Sequence, residues 1–237
     1  MSGTGPDRIA EPPASTPPSP PAADAGRDAA ASPAFDDPAG TWNRRYGHAD
    51  FLFGTEPNAW LRDHAGVWQA GQRVLCVADG EGRNSVWLAQ RGLQVDAFDI
   101  AEVAVAKARR LAAARGVTVD FAVADVDGYA WRRQAWDGVA AIFVQFADPP
   151  TRARLFARIL DALKPGGTLV LQGYTPRQLD YRTGGPPRLD HLYTLPMLRE
   201  AFAALDIVVL REYEAEVAEG SGHRGWSALV GLVGRKR

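Results

Sequence analysis

From Gly71 to the C-terminus, short apolar runs alternate with stretches of helical periodicity, and this alternation constrains the fold more than any other feature of the chain. Strands are predicted at 73–78, 95–100, 119–125, 137–144 and 168–174. Helices fit 84–91, 102–115 and 150–163, the last ended by Pro165-Gly166-Gly167. Strand–helix–strand units of this kind build a mostly parallel sheet with helices on both faces, because parallel neighbours need a crossover long enough to hold a helix. A loop at 175–190, rich in Pro, Gly and Arg, leads to a helix near 195–205 and then to two β runs, 207–217 and 226–234. The short link that contains Glu219-Gly220-Ser221-Gly222-His223 separates those runs, so they pair antiparallel as a hairpin.

The first 40 residues have a different character. They hold nine of the 17 prolines and ten alanines, with no hydrophobic periodicity, and PPASTPPSPPAADAG at 12–26 has the bias of a solvated tail. Residues 1–40 are therefore expected to be disordered, with one folded domain over 41–237 and an N-terminal cap at 42–70. Within the cap, Pro57 is expected in the first turn of a helix over Asn58 to Trp68.

Charge narrows the partners. The tail carries six acids against two arginines, and the body 25 bases against 22 acids, too even a balance for a phosphate-binding surface. Small molecules are the expected ligands, with neither nucleic acid nor membrane as partner and the tail as a possible docking segment for a protein. No apolar run is long enough to cross a bilayer, and a single cysteine, Cys76, excludes an internal disulfide. A reducing, cytoplasmic setting is the corresponding expectation. The four histidines at 48, 64, 191 and 223 lack metal-ligand spacing, so no metal site is expected.

The first strand runs into Asp79-Gly80-Glu81-Gly82-Arg83-Asn84, where two glycines allow backbone to approach a ligand at a helix N-terminus. Asp99 ends the second strand 19 residues after Gly80, where a carboxylate can accept both hydroxyl hydrogens of a ribose. Asp125, with Val126, ends the third strand at the same edge and offers an acceptor for an adenine amino group. Each residue also has a plain structural reading: a tight turn for the glycines, a solvated strand end for Asp99, a turn former for Asp125.

Together these motifs resemble the class I S-adenosylmethionine-dependent methyltransferases over roughly residues 42–237, and within them the tellurite-resistance and thiopurine methyltransferase type. The resemblance is carried by GEGRNSVWLAQRG (80–92), the acid in DAFDI (96–100), the acid in VAD (123–125) and LKPGG (163–167). WNRRYGHADFLFGTEPN (42–58) and EGSGHRGWSALV (219–230) are similar to the narrower group. It implies a doubly wound α/β fold whose seven-stranded, mostly parallel, Rossmann-like sheet has the order 3-2-1-4-5-7-6 with an antiparallel last strand. It also implies S-adenosylmethionine as cofactor, held by Asp79, Gly80, Glu81, Gly82, Asn84, Asp99, Ile100, Asp125 and Val126. Cys76 and Ala78 depart from the family pattern, so the methionine amino group would rely on Asp79 or Glu81 and on backbone carbonyls.

Methyl transfer from a sulfonium needs alignment and exclusion of water more than a base. A thiol or chalcogen oxyanion acceptor would arrive nucleophilic, whereas an alcohol or amine would call on His223, Tyr174 or Tyr46. Trp42 and Phe53 either stack over substrate or pack as an aromatic cap. Arg177, Arg182 and Arg188 either recognise an anionic substrate or are ordinary surface arginines. Two other functions remain open: a catalytically weak S-adenosylmethionine-binding interaction module, and an NAD(P)-dependent oxidoreductase. The second fits less well, because Ser85 stands where its fingerprint wants a third glycine.

Overall fold

The computed structural model describes residues 37–237, so most of the expected tail lies outside the described residues. Its last residues depart from expectation, because helix α1 (Pro38–Tyr46) starts within the segment read as tail. The Asp37 side chain caps it by accepting from the Gly40 amide at 2.9 Å, and Pro38 suits a first turn that needs no amide donor. In α2 (Ala59–His64) the cap residue is Asn58, which accepts from the Leu61 amide at 3.0 Å. Pro57 thus precedes the cap instead of entering the first turn. The helix gives way to a single 3-10 turn over Ala65–Val67, so it ends earlier than expected.

The α/β repeat then follows as β1 (Arg73–Val77), α3 (Arg83–Gln90), β2 (Gln94–Asp99), α4 (Glu102–Ala114), β3 (Asp120–Val123), β4 (Trp136–Ile142), α5 (Pro149–Ala162) and β5 (Leu163–Tyr174). After α6 (Gln178–Tyr181) and α7 (Leu195–Ala201) come β6 (Leu205–Glu219) and β7 (His223–Lys236). The seven strands form one doubly wound sheet in the order β3-β2-β1-β4-β5-β7-β6, with β7 antiparallel to both its neighbours. This is the expected fold.

Several boundaries moved, two of them with consequences for the sheet. Pro165-Gly166-Gly167 lies inside β5 and does not end α5: Leu163 already pairs with Trp136, and the register shifts before Thr168 meets Gly138. Gly166, at φ 78°, supplies the left-handed backbone that this irregularity requires. The hairpin is longer than expected and turns over three residues, 220–222. Glu219 and His223 therefore face each other as a cross-strand pair and are not loop residues.

Strand alternation sorts the core into two layers. Leu75 and Val77 of β1 join Leu169, Leu171, and Leu155 and Ile159 of α5 on one face. Val74 and Cys76 join Val95, Val170, Leu88 of α3 and Trp60 of α2 on the other. Strand order reverses between β1 and β4, which opens a crevice beyond the carboxyl ends of the parallel strands.

Candidate active site

The turn after β1 is shaped by left-handed backbone. Ala78, Gly80 and Gly82 have φ of 47°, 60° and 88°. At Ala78 this conformation costs what a glycine would avoid. The two glycines answer to different neighbours: a Cβ on Gly82 would lie 2.7 Å from Ala108 Cβ of α4, and one on Gly80 would lie 2.7 Å from the Tyr46 hydroxyl. The Asp99 carboxylate locks the turn to the end of β2, accepting from the Gly80 and Ala101 amides at 2.9 Å each.

A cleft opens above this turn. Two acids in its wall ionise above the usual carboxylate range. Loss of hydration raises the Asp79 carboxyl to about 7 despite the hydrogen bond that it accepts from Ser85 Oγ. The same effect raises buried Asp99 to about 6 against the backbone amides that favour its charged form. The nearby Arg83 guanidinium does not pair with either acid, because it is held by Glu219 at 2.6 Å.

Aromatic side chains form the opposite wall. Trp42 stacks on Tyr46 at 5.5 Å, and Tyr46 meets Phe53 edge-on at 6.1 Å. His223 sits between Phe53 and Phe143, with ring centroids 4.4 and 4.7 Å away. Phe143 follows β4 with φ 55°, a strained value for a bulky residue and a common device where a side chain must be aimed at a site.

Behind His223 lies a buried polar network. Glu219 Oε2 accepts from Arg83 at 2.6 Å, and Glu219 Oε1 accepts from Asn58 Nδ2 at 2.9 Å. Asn58 Nδ2 also donates to Gln172 at 2.6 Å, while the Asn58 amide donates to Asn84 Oδ1 at 2.9 Å. His223 Nδ1 is 3.6 Å from Glu219 Oε2, an electrostatic contact too long for a hydrogen bond, and this buried nitrogen has no other polar partner. Burial opposes ionisation of Glu219, yet His223 and Arg83 outweigh it and hold the carboxyl at about 2. Burial lowers the His223 imidazole below its usual value, so the ring is neutral at pH 7.

The cleft gathers most of the expected site residues. Asp79, Gly80, Asn84, Asp99 and Ile100 line it, as do Asp125 and Val126, which lie in the loop beyond β3 because that strand ends at Val123 and not at Asp125 as expected. Trp42, Tyr46, Phe53 and His223 line it from the cap and the hairpin. Asp125 also serves its plain turn role, accepting from the Gly128 amide at 2.6 Å.

The remaining expectations do not reach the cleft. Glu81 is taken up by Lys107 Nζ at 2.5 Å and the Leu52 amide at 2.7 Å, and Gly82 packs on α4. Tyr174 is 1% exposed, covered by Gly184 and Gly185 and stacked on Phe143 at 4.7 Å. Arg177 is exposed and pairs with Glu214 at 3.0 Å. Arg182 is exposed at the end of α6, and Arg188 pairs with Asp190 at 2.7 Å. None of the three arginines is among the lining residues; the loop packs on Tyr174 and His223 through Gly184 and on Tyr174 through Gly185.

Sequence reasoning missed Pro38, Ala78, Arg83, Phe98, Phe143 and Phe146 as lining residues. Phe143 was hidden inside a strand predicted to run to 144, and Pro38 inside the tail. Among the described residues, no helix is long and apolar enough to cross a membrane, and no cluster of His, Cys, Asp or Glu is arranged to hold a metal ion.

Residues 74–167 match the family model of a methyltransferase domain. The ribosomal RNA small subunit methyltransferase C of Chromohalobacter salexigens is 36% identical over 113 residues, covering 43% of this chain and 31% of that protein. The chain spans less than half the length of the curated relatives that it matches. Among solved structures, one described as the conversion of a disulfide bond into a thioacetal group during echinomycin biosynthesis superposes with a TM-score of 0.67. It is 20% identical, over 86% of this chain and 91% of that one. TehB from Haemophilus influenzae superposes with a TM-score of 0.62 at 15% identity, over 84% of this chain and 67% of that one. The likenesses to solved structures establish the fold. The domain match agrees with the expectation of an S-adenosylmethionine-dependent methyltransferase.

Proposed function

We propose that this protein transfers a methyl group from S-adenosylmethionine to a small-molecule acceptor that is a soft nucleophile, in the manner of the tellurite-resistance and thiopurine methyltransferase type. The observation that carries this reading is the pair of acids without a cationic partner, Asp79 and Asp99, in a cleft at the switch point of the sheet. Such acids fit a ligand bearing an ammonium group and a ribose diol, and the exposed Asp125 fits an adenine amino group. When bound, S-adenosylmethionine supplies an electrophilic methyl group on a sulfonium.

The chain's own residues supply position and dryness. Asp99 holds the glycine turn through the Gly80 amide while keeping lone pairs free for hydroxyl donors. Trp42, Tyr46, Phe53 and Phe143 exclude water where the acceptor meets the methyl group, which strengthens every electrostatic contact there. The roof formed by α1 and Phe53 favours a small acceptor over a nucleic acid, as does the even charge of the body. In this reading His223 faces the acceptor, and Tyr174 backs Phe143.

Calorimetry with S-adenosylmethionine, S-adenosylhomocysteine and NAD tests the cofactor, and a methyl-transfer assay over thiol, selenium and tellurium acceptors tests the activity. Tighter binding of NAD would overturn the reading. Tight S-adenosylmethionine binding without turnover on any acceptor would favour a binding module instead.

A further inference from the structure

Glu219 and His223 belong to different strands, yet the hairpin register sets them opposite each other at the mouth of a three-residue turn. Each is fixed from several sides. Glu219 is gripped by Arg83 and Asn58, and the imidazole is wedged between Phe53 and Phe143. The Asn58 side chain also caps α2 and its amide binds Asn84, so the grip on Glu219 extends to the cap and to the helix that opens at the glycine turn. A carboxylate this firmly held is an orienting group for whatever faces it. What faces it is Nδ1 of His223, which is buried and has no other polar partner.

We infer that Glu219 is a positioning residue whose negative charge, 3.6 Å from Nδ1, favours the Nδ1–H tautomer of His223 and leaves Nε2 as a base for a protic acceptor, a neutral thiol or hydroxyl. The inference rests on the methyltransferase reading and narrows its acceptor to one that must lose a proton. As a lone pair of the acceptor forms its bond to the methyl carbon, the carbon–sulfur bond breaks and its electron pair stays on sulfur. The acceptor's proton passes to Nε2, and the resulting imidazolium is stabilised by Glu219.

The surroundings of His223 agree with this role. Arg83 from α3 and Arg45 from α1 disfavour the imidazolium, and Tyr174 from β5 contributes a neutral ring at 5.7 Å. Glu219 is the one of these groups that favours the charged form. Burial above all, with the two arginines, keeps the imidazole unprotonated before reaction, as a base must be, and Glu219 gives it a charge partner once the proton arrives.

The first test is the ¹⁵N spectrum of the imidazole in the wild-type chain, bound to S-adenosylhomocysteine, at pH 7.5. The Nδ1–H tautomer is expected for His223, and the Nε2–H tautomer would overturn the inference whatever the activity proves to be. The second test measures kcat over alkyl thiols, thiophenols and phenols whose acidities span the assay pH. Glu219→Gln should lower kcat about 10-fold to 10²-fold for acceptors protonated at that pH and shift the acid limb of the profile to lower pH. For thiophenols that are already ionised the loss should shrink to about twofold. If Glu219→Gln fails to fold because Arg83 is left unpaired, the Arg83→Met/Glu219→Gln double variant removes both charges and carries the same expectation. A loss independent of acceptor acidity would overturn the dyad, as would wild-type protein that binds S-adenosylhomocysteine but methylates no member of the series. Failure to bind S-adenosylhomocysteine would instead overturn the methyltransferase reading itself.

Discussion

Acidification should expel the cofactor through two acids of the cleft. In the free protein Asp79 ionises near 7 and Asp99 near 6, both raised by loss of hydration. Under the proposed function, cofactor needs both charged, Asp79 for an ammonium group and Asp99 for the ribose hydroxyls, so each proton bound by the free protein competes with ligand. If both are ionised in the complex, affinity falls by the product of the two protonation factors, about 10³-fold between pH 8 and pH 5, or about 4 kcal/mol. The slope of log Kd should be about one between pH 7 and 6 and approach two below pH 6. Near pH 6.5 binding should release about one proton, which calorimetry in buffers of different ionisation enthalpy reads directly. The sign for stability is opposite. Folded-state values raised above the unfolded ones add stability that is fully present below the unfolded pKa and lost as pH rises through 6 to 7. The thermal shift given by S-adenosylhomocysteine should therefore be larger at pH 8 than at pH 5.5. A Kd for S-adenosylhomocysteine constant within threefold from pH 8 to 5.5, with no proton release, would refute the assignment of both acids. Asp79→Asn should remove only the upper step.

Lys107→Met would leave Glu81 charged in a site where it is almost wholly buried, at a cost of about 3–5 kcal/mol, read as a fall of about 10 °C in Tm at pH 8. Gly80→Ala places a Cβ 2.7 Å from the Tyr46 hydroxyl on backbone with φ 60°, so S-adenosylhomocysteine should bind at least about tenfold more weakly by calorimetry. Removal of residues 1–36 should leave Tm and S-adenosylhomocysteine affinity unchanged, because that stretch lacks the apolar periodicity of a core element. Removal through residue 38 should lower both, since it takes the Asp37 cap and the cleft-lining Pro38.

What was legible in the sequence was whatever backbone periodicity and chain direction decide. Strand order followed from the α/β alternation and the family resemblance, and the short link at 219–223 required an antiparallel pair. Asp99 could be placed because a strand end and a glycine turn are both local signals. The longer hairpin was harder to read, because Glu219 and His223 flank glycines and look like loop residues until cross-strand pairing recruits them. Phe143 was illegible for another reason. Its φ of 55° ends β4 and turns the ring toward His223, and no residue type announces that conformation as glycine does.

Asp79 and Glu81 show the same limit at one turn. They flank Gly80, have the same charge and were equal candidates for the methionine amino group. The structure separates them by what stands within reach. Lys107, a full α/β unit later in the chain, meets Glu81 on α4, so that acid is neutralised in place and ties the backbone at Asp50 and Leu52 to the glycine turn. Among the described residues no cation pairs with Asp79, since Arg83 turns to Glu219, and its one side-chain hydrogen bond comes from Ser85. The acid without a cation is the one in the cleft wall, and the acid with one builds the cap. The same sorting holds for Asp99, without a cation in the cleft, and for Glu219, paired behind it. Burying a charge is costly unless it is matched, so paired acids can serve as internal fasteners, whereas unpaired ones suit the proposed ligand, which would bring the match. Which role an acid takes is therefore set by the long-range placement of the chain's few buried cations, information that no local motif contains.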